Sequence, residues 1–317
     1  MTTTNQTAKQ STAWKNIRKY WAYKWKEAKK ARTYYAFVLP YALIFVTFTV
    51  IPVIFSVALS FTTFNMIQSP KFIFIDNYYQ LFMMDDLFLT AVKNTFLISA
   101  ITGPAGYLMC LMFAWLINEM PPKFRAVLTL MFYAPSISGQ AYTMFGFIFS
   151  GDEYGVLNSL LMDWGVLTSP VQWFKSEATI MPCLIVVILW LSIGTSFLSF
   201  IGGLQGIGRD QYEAGAIDGI KNRWQELWYI TLPNMKNQLM FGAVMSITGS
   251  FGMGAMITAL VGFPSPNYAA HTIVHHLEDY GNIRFEMGYA SAIATILFII
   301  MVGANKIVQK LLRKVGA

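Results

Sequence analysis

Long runs without a charged residue alternate with short charged segments along this chain. Six uncharged runs occur: Thr33–Pro70, Asn94–Asn118, Ala126–Gly151, Ala178–Gly208, Asn237–Leu277 and Met287–Asn305. A helix needs about 20 apolar residues to cross a hydrocarbon core about 30 Å thick. Each run is long enough for one such helix, and Gly262, Pro264 and Pro266 mark the expected helix end in the fifth. The pattern predicts an all-α integral membrane protein with six transmembrane helices.

Composition supports this fold class and narrows the function. Charged residues make up 12% of the 317-residue chain and hydrophobic residues 55%, whereas a soluble domain has about 25% charged residues. The sequence contains neither a phosphate-binding GxxxxGK[ST] loop nor a GxSxG nucleophile elbow, the motifs of nucleotide hydrolysis and of many hydrolases. We therefore expect that the chain is not an enzyme by itself and that it carries no cofactor.

The distribution of Lys and Arg predicts the orientation of the helices. If the N-terminus is cytoplasmic, 19 of the 23 Lys and Arg residues lie on the cytoplasmic side, together with only six of the 16 acidic residues. Cytoplasmic loops carry an excess of positive charge, so both termini are predicted to be cytoplasmic. The same rule accounts for the basic pI, so no nucleic-acid partner is expected.

Residues 1–33 are predicted to form a basic, aromatic cytoplasmic tail that precedes a six-helix domain, residues 34–317. Trp and Tyr alternate with Lys in the stretch WKNIRKYWAYKWKEAKKAR. This composition is typical of an amphipathic helix at the surface of an anionic membrane. A solvated basic tail is the alternative interpretation.

Two of the predicted transmembrane helices carry residues that could interrupt the helix or line a path. The stretch Ala134–Ser138 (APSIS) is expected to break the third helix, either as a packed kink or beside a substrate path. The inner half of the fourth helix is polar, and small hydroxyl residues there could face a lumen or pack helices together. The residues concerned are Trp190, Ser192, Thr195, Ser196 and Ser199.

A charged module, residues 209–236, lies between the fourth and fifth uncharged runs. Its first part predicts a short helix over Gln211–Ile217, followed by a turn at Asp218 and Gly219, because Gly permits positive φ. Lys221–Ile230 predicts a second helix. Pro233 either ends this helix or begins the next one. Three apolar residues of this helix fall on one face and could anchor the module: Trp224, Leu227 and Trp228.

The charged module resembles the signature of permease subunits from binding-protein-dependent ABC importers. That signature is Glu-Ala-Ala, a Gly four residues after the second Ala, and Ile-x-Leu-Pro after a fixed interval. In this chain, Gly215 replaces the second Ala. The first span, the segment FIDNYYQLFMMDDLFLTAVKNT and the closing MGYASAIATILFII are similar to the carbohydrate-type members, although Phe74 replaces a usual Gly. The matching positions in the module are Glu213, Ala214, Gly215, Asp218, Gly219, Ile230, Leu232 and Pro233.

The resemblance implies a type I importer permease fold and a set of partners. These are a second, related permease, two ATPase subunits that hold ATP and Mg²⁺, and an extracytoplasmic binding lipoprotein that delivers a carbohydrate. The module would act as the coupling element that inserts into an ATPase subunit, in the plasma membrane of a bacterium. Aromatic residues near the middle of the later spans would contact the sugar, with Tyr142, Trp190 and Tyr289 as candidates.

Two alternatives remain from the sequence. A permease of the same superfamily could carry a non-sugar solute. A membrane metalloenzyme could be built on the histidines of HTIVHHLEDY, since His271 and His275 are spaced as zinc ligands on one helix face, with Glu278 and Asp279 nearby.

Overall fold

The computed structural model describes residues 23, 24, 26, 27 and 29–312, most of which are helical. Contacts divide the chain into two compact units, Met1–Ala58 and Leu59–Ala317. In the first unit, helix α1 (Arg32–Phe45) continues through a π-helical turn, Val46–Val50, into α2 (Ile51–Leu59). The membrane-surface helix expected within residues 1–33 lies largely outside the described residues and stays a prediction.

The second unit begins with a two-stranded antiparallel hairpin, β1 (Thr62–Thr63) and β2 (Lys71–Phe72). The elements that follow are α3 (Asp76–Met83), α4 (Asp86–Asn118), α5 (Pro122–Ser138), α6 (Thr143–Ile148), α7 (Val156–Asp163), α8 (Glu177–Leu191), α9 (Thr195–Gln205), α10 (Arg209–Ile217), α11 (Arg223–Glu226), a π-helical turn (Leu227–Thr231), α12 (Leu232–Asn234), α13 (Lys236–Phe251), α14 (Gly254–Val261), a 3₁₀ turn (Pro266–Tyr268), α15 (Ile273–Glu278), a second π-helical turn (Asp279–Ile283) and α16 (Met287–Leu312).

Helices α4, α9 and α13 form the centre of the second unit, where each packs against the other two. Their shared core contains Phe197 and Phe200, which are fully buried, together with Cys110 and Leu239. The contact between α9 and α13 is close because Gly242 lies directly beneath the Phe200 ring, where a Cβ atom would overlap the ring carbons. The close packing of α9 against α13 therefore depends on the absence of a side chain at Gly242.

Four helical segments among the described residues are long and apolar enough to cross a membrane. They are Arg32–Leu59, Asp86–Asn118, Glu177–Gln205 and Met287–Leu312. A fifth is obtained if α13 and α14, which are bent by 42° at their junction, count as one span. The third uncharged run forms the 17-residue α5 followed by the short α6. The all-α fold is confirmed, and the number of six spans stays a prediction.

The helix ends follow the local sequence in part. Helix α14 ends at Val261, directly before Gly262, as predicted from the Gly and Pro residues there. The predicted break at Ala134–Ser138 is misplaced, because α5 continues through Pro135 and ends at Ser138. A proline inside a helix removes one backbone hydrogen bond without ending the helix when its surroundings compensate, so the interruption falls at Gly139–Tyr142 instead.

We expect Gly242→Val to destabilise the second unit, because the added side chain would overlap the buried Phe200 ring. Overpacking of this kind costs about 1–3 kcal/mol. Thermal unfolding of the detergent-solubilised protein measures the effect. The matched control is Gly202→Val in α9, where a Cβ meets no atom within 4 Å. Equal melting temperatures for the two variants would contradict this account of the α9–α13 contact.

Candidate functional site

The first half of the charged module is a short helix that ends in a tight glycine turn. Helix α10 covers Arg209–Ile217, and Gly219 follows with φ of 97°. The Ile220 N–H donates to the Gly215 carbonyl at 2.9 Å, and the Gly219 N–H donates to the Ala216 carbonyl at 3.3 Å. These two bonds form a Schellman motif, which requires a left-handed residue at its end. The predicted helix and turn are present, and the conformation explains why this position is Gly.

The second half of the module is one continuous helical segment with a local change in winding. Helix α11 begins after Asn222, whose side chain accepts from the Gln225 N–H at 2.8 Å. It continues through the π-helical turn into α12, where Pro233 occupies the first turn. The predicted second helix therefore does not end at Pro233, because helical backbone continues from Arg223 through Asn234.

The two halves are held together by a small set of side-chain contacts. Buried Gly215 faces the Ile230 side chain, and a Cβ at Gly215 would lie 2.5 Å from the Ile230 terminal methyl. The Tyr212 hydroxyl lies 3.0 Å from the Thr231 hydroxyl. Because Gly215 has no side chain, Ile230 has room to pack against α10.

The predicted apolar face of the second helix is only partly used for anchoring. Leu227 packs against the core of α4 and α9, and the Trp224 ring contacts the Trp115 ring of α4 at a centroid distance of 5.1 Å. Both tryptophans nevertheless remain largely exposed, Trp224 at 65% and Trp228 at 64%. The module therefore contacts the helical core through Leu227 and the Trp224 ring.

An ion pair also joins the module to the end of α4. The Arg223 guanidinium bonds the Glu119 carboxylate at 2.8 Å and the Glu226 carboxylate at 2.6 Å. The hydrogen bond that Arg223 donates to Glu226 and the negative charge of Glu119 raise the pKa of Arg223. Because the Arg223 side chain is 62% exposed, this pair contributes at most about 1 kcal/mol to stability.

The predicted coupling residues divide into a buried set and an exposed set. Gly215, Ile230 and Leu232 are buried, and Pro233 is partly buried. The exposed set, Glu213, Ala214, Asp218 and Gly219, lies along α10 and its turn. Among the ion pairs of the described residues, none includes Glu213. The module therefore presents a helix end with an uncompensated carboxylate, while its other residues hold the shape.

An open cleft of about 770 Å³ lies between the module and the α4–α5 turn. Its lining is strongly polar. The residues include Asn118, Glu119, Arg125, Arg209, Tyr212, Arg223 and Glu226.

A second, smaller cavity lies where two helical interruptions meet. The interruption Ser192–Gly194 separates α8 from α9, and Gly252–Met253 separates α13 from α14. The cavity between them measures about 200 Å³. Its walls include six small polar residues: Thr102, Ser192, Thr195, Ser196, Ser246 and Ser250. Non-helical backbone at membrane depth is tolerated where it is buried or lines a cavity. Ser192, Thr195 and Ser196 lie on these walls, while Ser196 also bonds the Gly242 carbonyl of α13 at 3.1 Å, so the lumen-facing interpretation stays a prediction.

The three predicted aromatic contacts for a sugar are not brought together. Tyr142 is partly buried at the start of α6, with its hydroxyl on Gln140 at 3.1 Å. Trp190 is 54% exposed on α8. Tyr289 is buried in α16, where its hydroxyl donates to Asp85 at 2.9 Å. None of the three lines the small polar cavity.

The histidines form a buried hydrogen-bond chain that sequence analysis missed. His276 Nε2 bonds Asp85 Oδ2 at 3.0 Å, and His276 Nδ1 lies 3.2 Å from His271 Nε2. Burial raises the pKa of Asp85, but the Phe88 amide, the Tyr289 hydroxyl and His276 together lower it below its usual value. Local spacing could not reveal this chain, because His276 and its partner Asp85 are 191 positions apart in the sequence.

His275 has a separate role in this segment. Its Nδ1 accepts from the Thr272 N–H at 3.3 Å in a capping box, and its Nε2 lies 3.0 Å from the Thr258 hydroxyl. Burial lowers the pKa of His275 to about 4. Burial, with the neighbouring His276 and His275, also lowers the pKa of His271 to about 4. Both imidazoles are therefore neutral at pH 7.

The metalloenzyme alternative finds no support in this geometry. The residues that the structure describes contain no group of three or more His, Cys, Asp and Glu side chains arranged to hold a metal ion. His271 and His275 bond different partners, and the two rings lie 6.0 Å apart. The histidines instead form hydrogen bonds that connect α15 with Asp85 at the start of α4 and with Thr258 of α14.

Taken together, these features define a helical membrane protein with an exposed helix-and-turn module and a polar cavity at two interrupted helices. Residues 111–315 match the family described as "Binding-protein-dependent transport system inner membrane component". The probable ABC transporter permease protein YesP of Bacillus subtilis is 32% identical over 84% of this chain and 86% of its own length. The arabinooligosaccharides transport system permease protein AraP of the same organism is 30% identical over 90% of this chain and 89% of its own.

A solved structure shows the same fold. A chain of the bacterial alginate ABC transporter, in complex with an alginate pentasaccharide-bound periplasmic protein, matches with a TM-score of 0.72 and 24% identity, over 92% of this chain and 99% of that one. The chain belongs to the family of inner-membrane components of binding-protein-dependent transport systems. It is a permease subunit of an ABC importer with the type I fold, and it is not an enzyme.

We expect the stability of the protein to fall as the pH decreases from about 6.5 to about 4. His271 and His275 have a pKa of about 4 in the folded chain and about 6.5 when unfolded. The unfolded state therefore binds protons first, and stability is lost as the pH falls. Thermal unfolding in detergent between pH 7.5 and pH 4 measures the slope.

The control for this experiment is His275→Gln, which keeps an amide that can bond Thr272 and Thr258 but cannot titrate. Its melting temperature should fall less over the same range. Identical pH profiles for the two proteins would show that His275 does not contribute to the dependence.

Proposed function

We propose that this chain is one of two permeases of an ATP-driven importer that moves a sugar or oligosaccharide into a bacterial cell. The names of its relatives support the substrate class, since AraP is named for arabinooligosaccharides and the alginate transporter binds a periplasmic protein that carries a saccharide. The complete importer contains a second permease, two ATPase subunits with ATP and Mg²⁺, and an extracytoplasmic solute-binding lipoprotein. A non-sugar solute has no comparable support.

The observation that carries this proposal is the exposed helix end of the charged module. Glu213, Ala214 and the Asp218–Gly219 turn are accessible, while Gly215 packs on Ile230 and Leu232 packs in the core. In the proposed complex, the exposed end inserts into a groove of an ATPase subunit, and Glu213 pairs with a basic residue there. The Schellman turn at Gly219 ends helix α10 within a few residues, so that only a short segment enters the groove.

Closure of the ATPase dimer around ATP then displaces the module. The two permeases convert from an inward-facing to an outward-facing state because the closed ATPase dimer binds the second state better. The binding protein releases its sugar into the outward-facing cavity. ATP hydrolysis reverses the conversion, and the sugar leaves toward the cytoplasm.

The small polar cavity is the part of this chain best suited to contact the solute. Hydroxyl groups of Ser192, Ser246 and Ser250 lie on its walls, beside backbone freed by two helix interruptions. Sugars offer both donors and acceptors to such groups. Tyr142 and Trp190 remain proposed contacts farther along the path, and Tyr289 is a proposed contact near its outer end.

The proposed orientation places both termini and the charged module in the cytoplasm. In this orientation residues 1–33 form a cytoplasmic tail before a permease domain of residues 34–317. The excess of Lys and Arg on the module side supports this arrangement. The hairpin, α3 and the histidine chain then face the binding protein.

We expect Gly219→Leu to abolish uptake while the protein still inserts in the membrane. A side chain at a φ of 97° costs about 1–2 kcal/mol, and it distorts the turn that enters the ATPase. Purification of the tagged chain from its native cells, with identification of the co-purifying proteins, and uptake of labelled oligosaccharides by the same cells measure the effect.

Gly219→Asn is the matched control, since Asn tolerates left-handed backbone, and it should retain most of the uptake. The wild-type chain should co-purify with an ATPase, a second permease and a lipoprotein. Isolation of the chain without an ATPase, or normal uptake by Gly219→Leu, would refute the proposed coupling.

We expect Ser246→Phe to reduce uptake by about tenfold or more, equivalent to about 1.4 kcal/mol on a rate. The ring would fill the polar cavity, where Ser246 Oγ lies 3.4 Å from Ser196 Oγ. Thr248→Phe is the control, because Thr248 is exposed on the same helix and does not line the cavity. Equal uptake by both variants would place the solute path elsewhere.

A further inference from the structure

Helix α4 makes polar contacts at both of its ends, with segments that are far apart in the sequence. It covers Asp86–Asn118, 33 residues, which corresponds to a length of about 50 Å. At its start, the Asp85 carboxylate bonds the Phe88 N–H at 2.9 Å, the His276 ring and the Tyr289 hydroxyl. At its end, Glu119 bonds Arg223 of the charged module. A single helix therefore connects the histidine chain with the module.

The contact at the module end has a defined geometry. The Arg223 guanidinium uses Nη2 for Glu119 and Nη1 for Glu226, at 2.8 and 2.6 Å. A planar guanidinium that bonds two carboxylates fixes the direction of the side chain as well as its position. Trp224, the next residue, packs its ring against Trp115, one turn before the end of α4. Adjacent residues of the module thus hold the same end of one helix.

Among the described residues, apolar side chains also join the module to the core. Leu227 and Leu232 pack against the cluster that contains Phe197 and Phe200. Apolar contacts are non-directional, so they permit the module to tilt while it remains attached. The internal contacts Gly215–Ile230 and Tyr212–Thr231 keep the module rigid within itself. The ion pair is the directional contact between this rigid module and α4.

We propose that Arg223 and Glu119 are positioning residues for energy coupling, which hold the charged module at a fixed angle to α4 so that the module and α4 move together. When an ATPase subunit displaces the module, α4 moves with it. The opposite end of α4 then moves as well, and its Asp85 displaces the bonded segment around His276. This inference rests on the proposed function, because it assumes that the module is the element on which the ATPase acts.

The exposure of the pair makes the inference testable. Arg223 and Glu119 are 62% and 39% exposed, and exposed ion pairs contribute little to folding. Variants of either residue should therefore fold and assemble. A defect in transport that appears without a loss of thermal stability would come from the position of the module and not from its unfolding.

The experiment uses the complete importer, purified with its binding protein and reconstituted in proteoliposomes. Uptake of a radiolabelled mixture of arabino- and malto-oligosaccharides is measured together with ATP hydrolysis. Glu119→Arg and Arg223→Glu should each lower the amount of sugar moved per ATP by roughly fivefold or more, the lower range of coupling between sites. The double variant, which restores the ion pair with reversed charges, should recover most of this ratio.

Arg125→Gln is the matched control, since Arg125 in the first turn of α5 lines the same cleft as Glu119 but bonds Asn118 at 3.0 Å. It should keep the wild-type ratio, and all variants should keep the wild-type melting temperature. A double variant no better than the single ones, or an equal loss in Arg125→Gln, would overturn the inference. Failure of the wild-type importer to take up any sugar would instead overturn the proposed function on which the inference depends.

Discussion

The lack of water in a bilayer is the constraint on which the rest of this structure depends. A backbone group without a partner costs several kcal/mol in hydrocarbon, so every interrupted helix must be enclosed by protein or must line a cavity. The interruptions at Ser192–Gly194 and Gly252–Met253 meet this requirement at the same cavity. Serine hydroxyls on its walls bond nearby carbonyls, as Ser196 does with Gly242 and Ser192 does with Leu189. A polar site in the membrane is thus obtained from the packing of interrupted helices.

The same constraint places charge at the ends of helices. Asp85 precedes α4 and bonds His276, which is far away in the sequence. Glu119 follows α4 and bonds Arg223 of the charged module. Buried charges are retained where partners and hydrogen bonds compensate their desolvation, which describes Asp85 with His276 and Tyr289. The exposed pair Glu119–Arg223 contributes little to stability because solvent screens its charges. Its contribution is to fix the direction of the Arg223 side chain.

Small residues allow these contacts to exist. Gly242 permits the Phe200 ring to lie against the backbone of α13, and Gly215 permits Ile230 to lie against α10. The first contact joins two of the central helices, and the second joins the two halves of the charged module. In a membrane, close packing supplies much of the attraction between helices, because lipid is as apolar as their side chains. The glycines therefore contribute to the rigidity that a coupling element needs.

The sequence by itself determined the fold class, the boundaries of most apolar segments and the helix-and-turn character of the charged module. Hydropathy is a local property, and the Asp218–Gly219 turn follows from the backbone freedom of one residue. Only the tertiary structure decided that His276 pairs with Asp85, that α5 continues past Pro135, and that Ser192 and Ser246 line one cavity. Contacts between distant residues leave no periodic pattern in the chain, because they depend on how the helices pack.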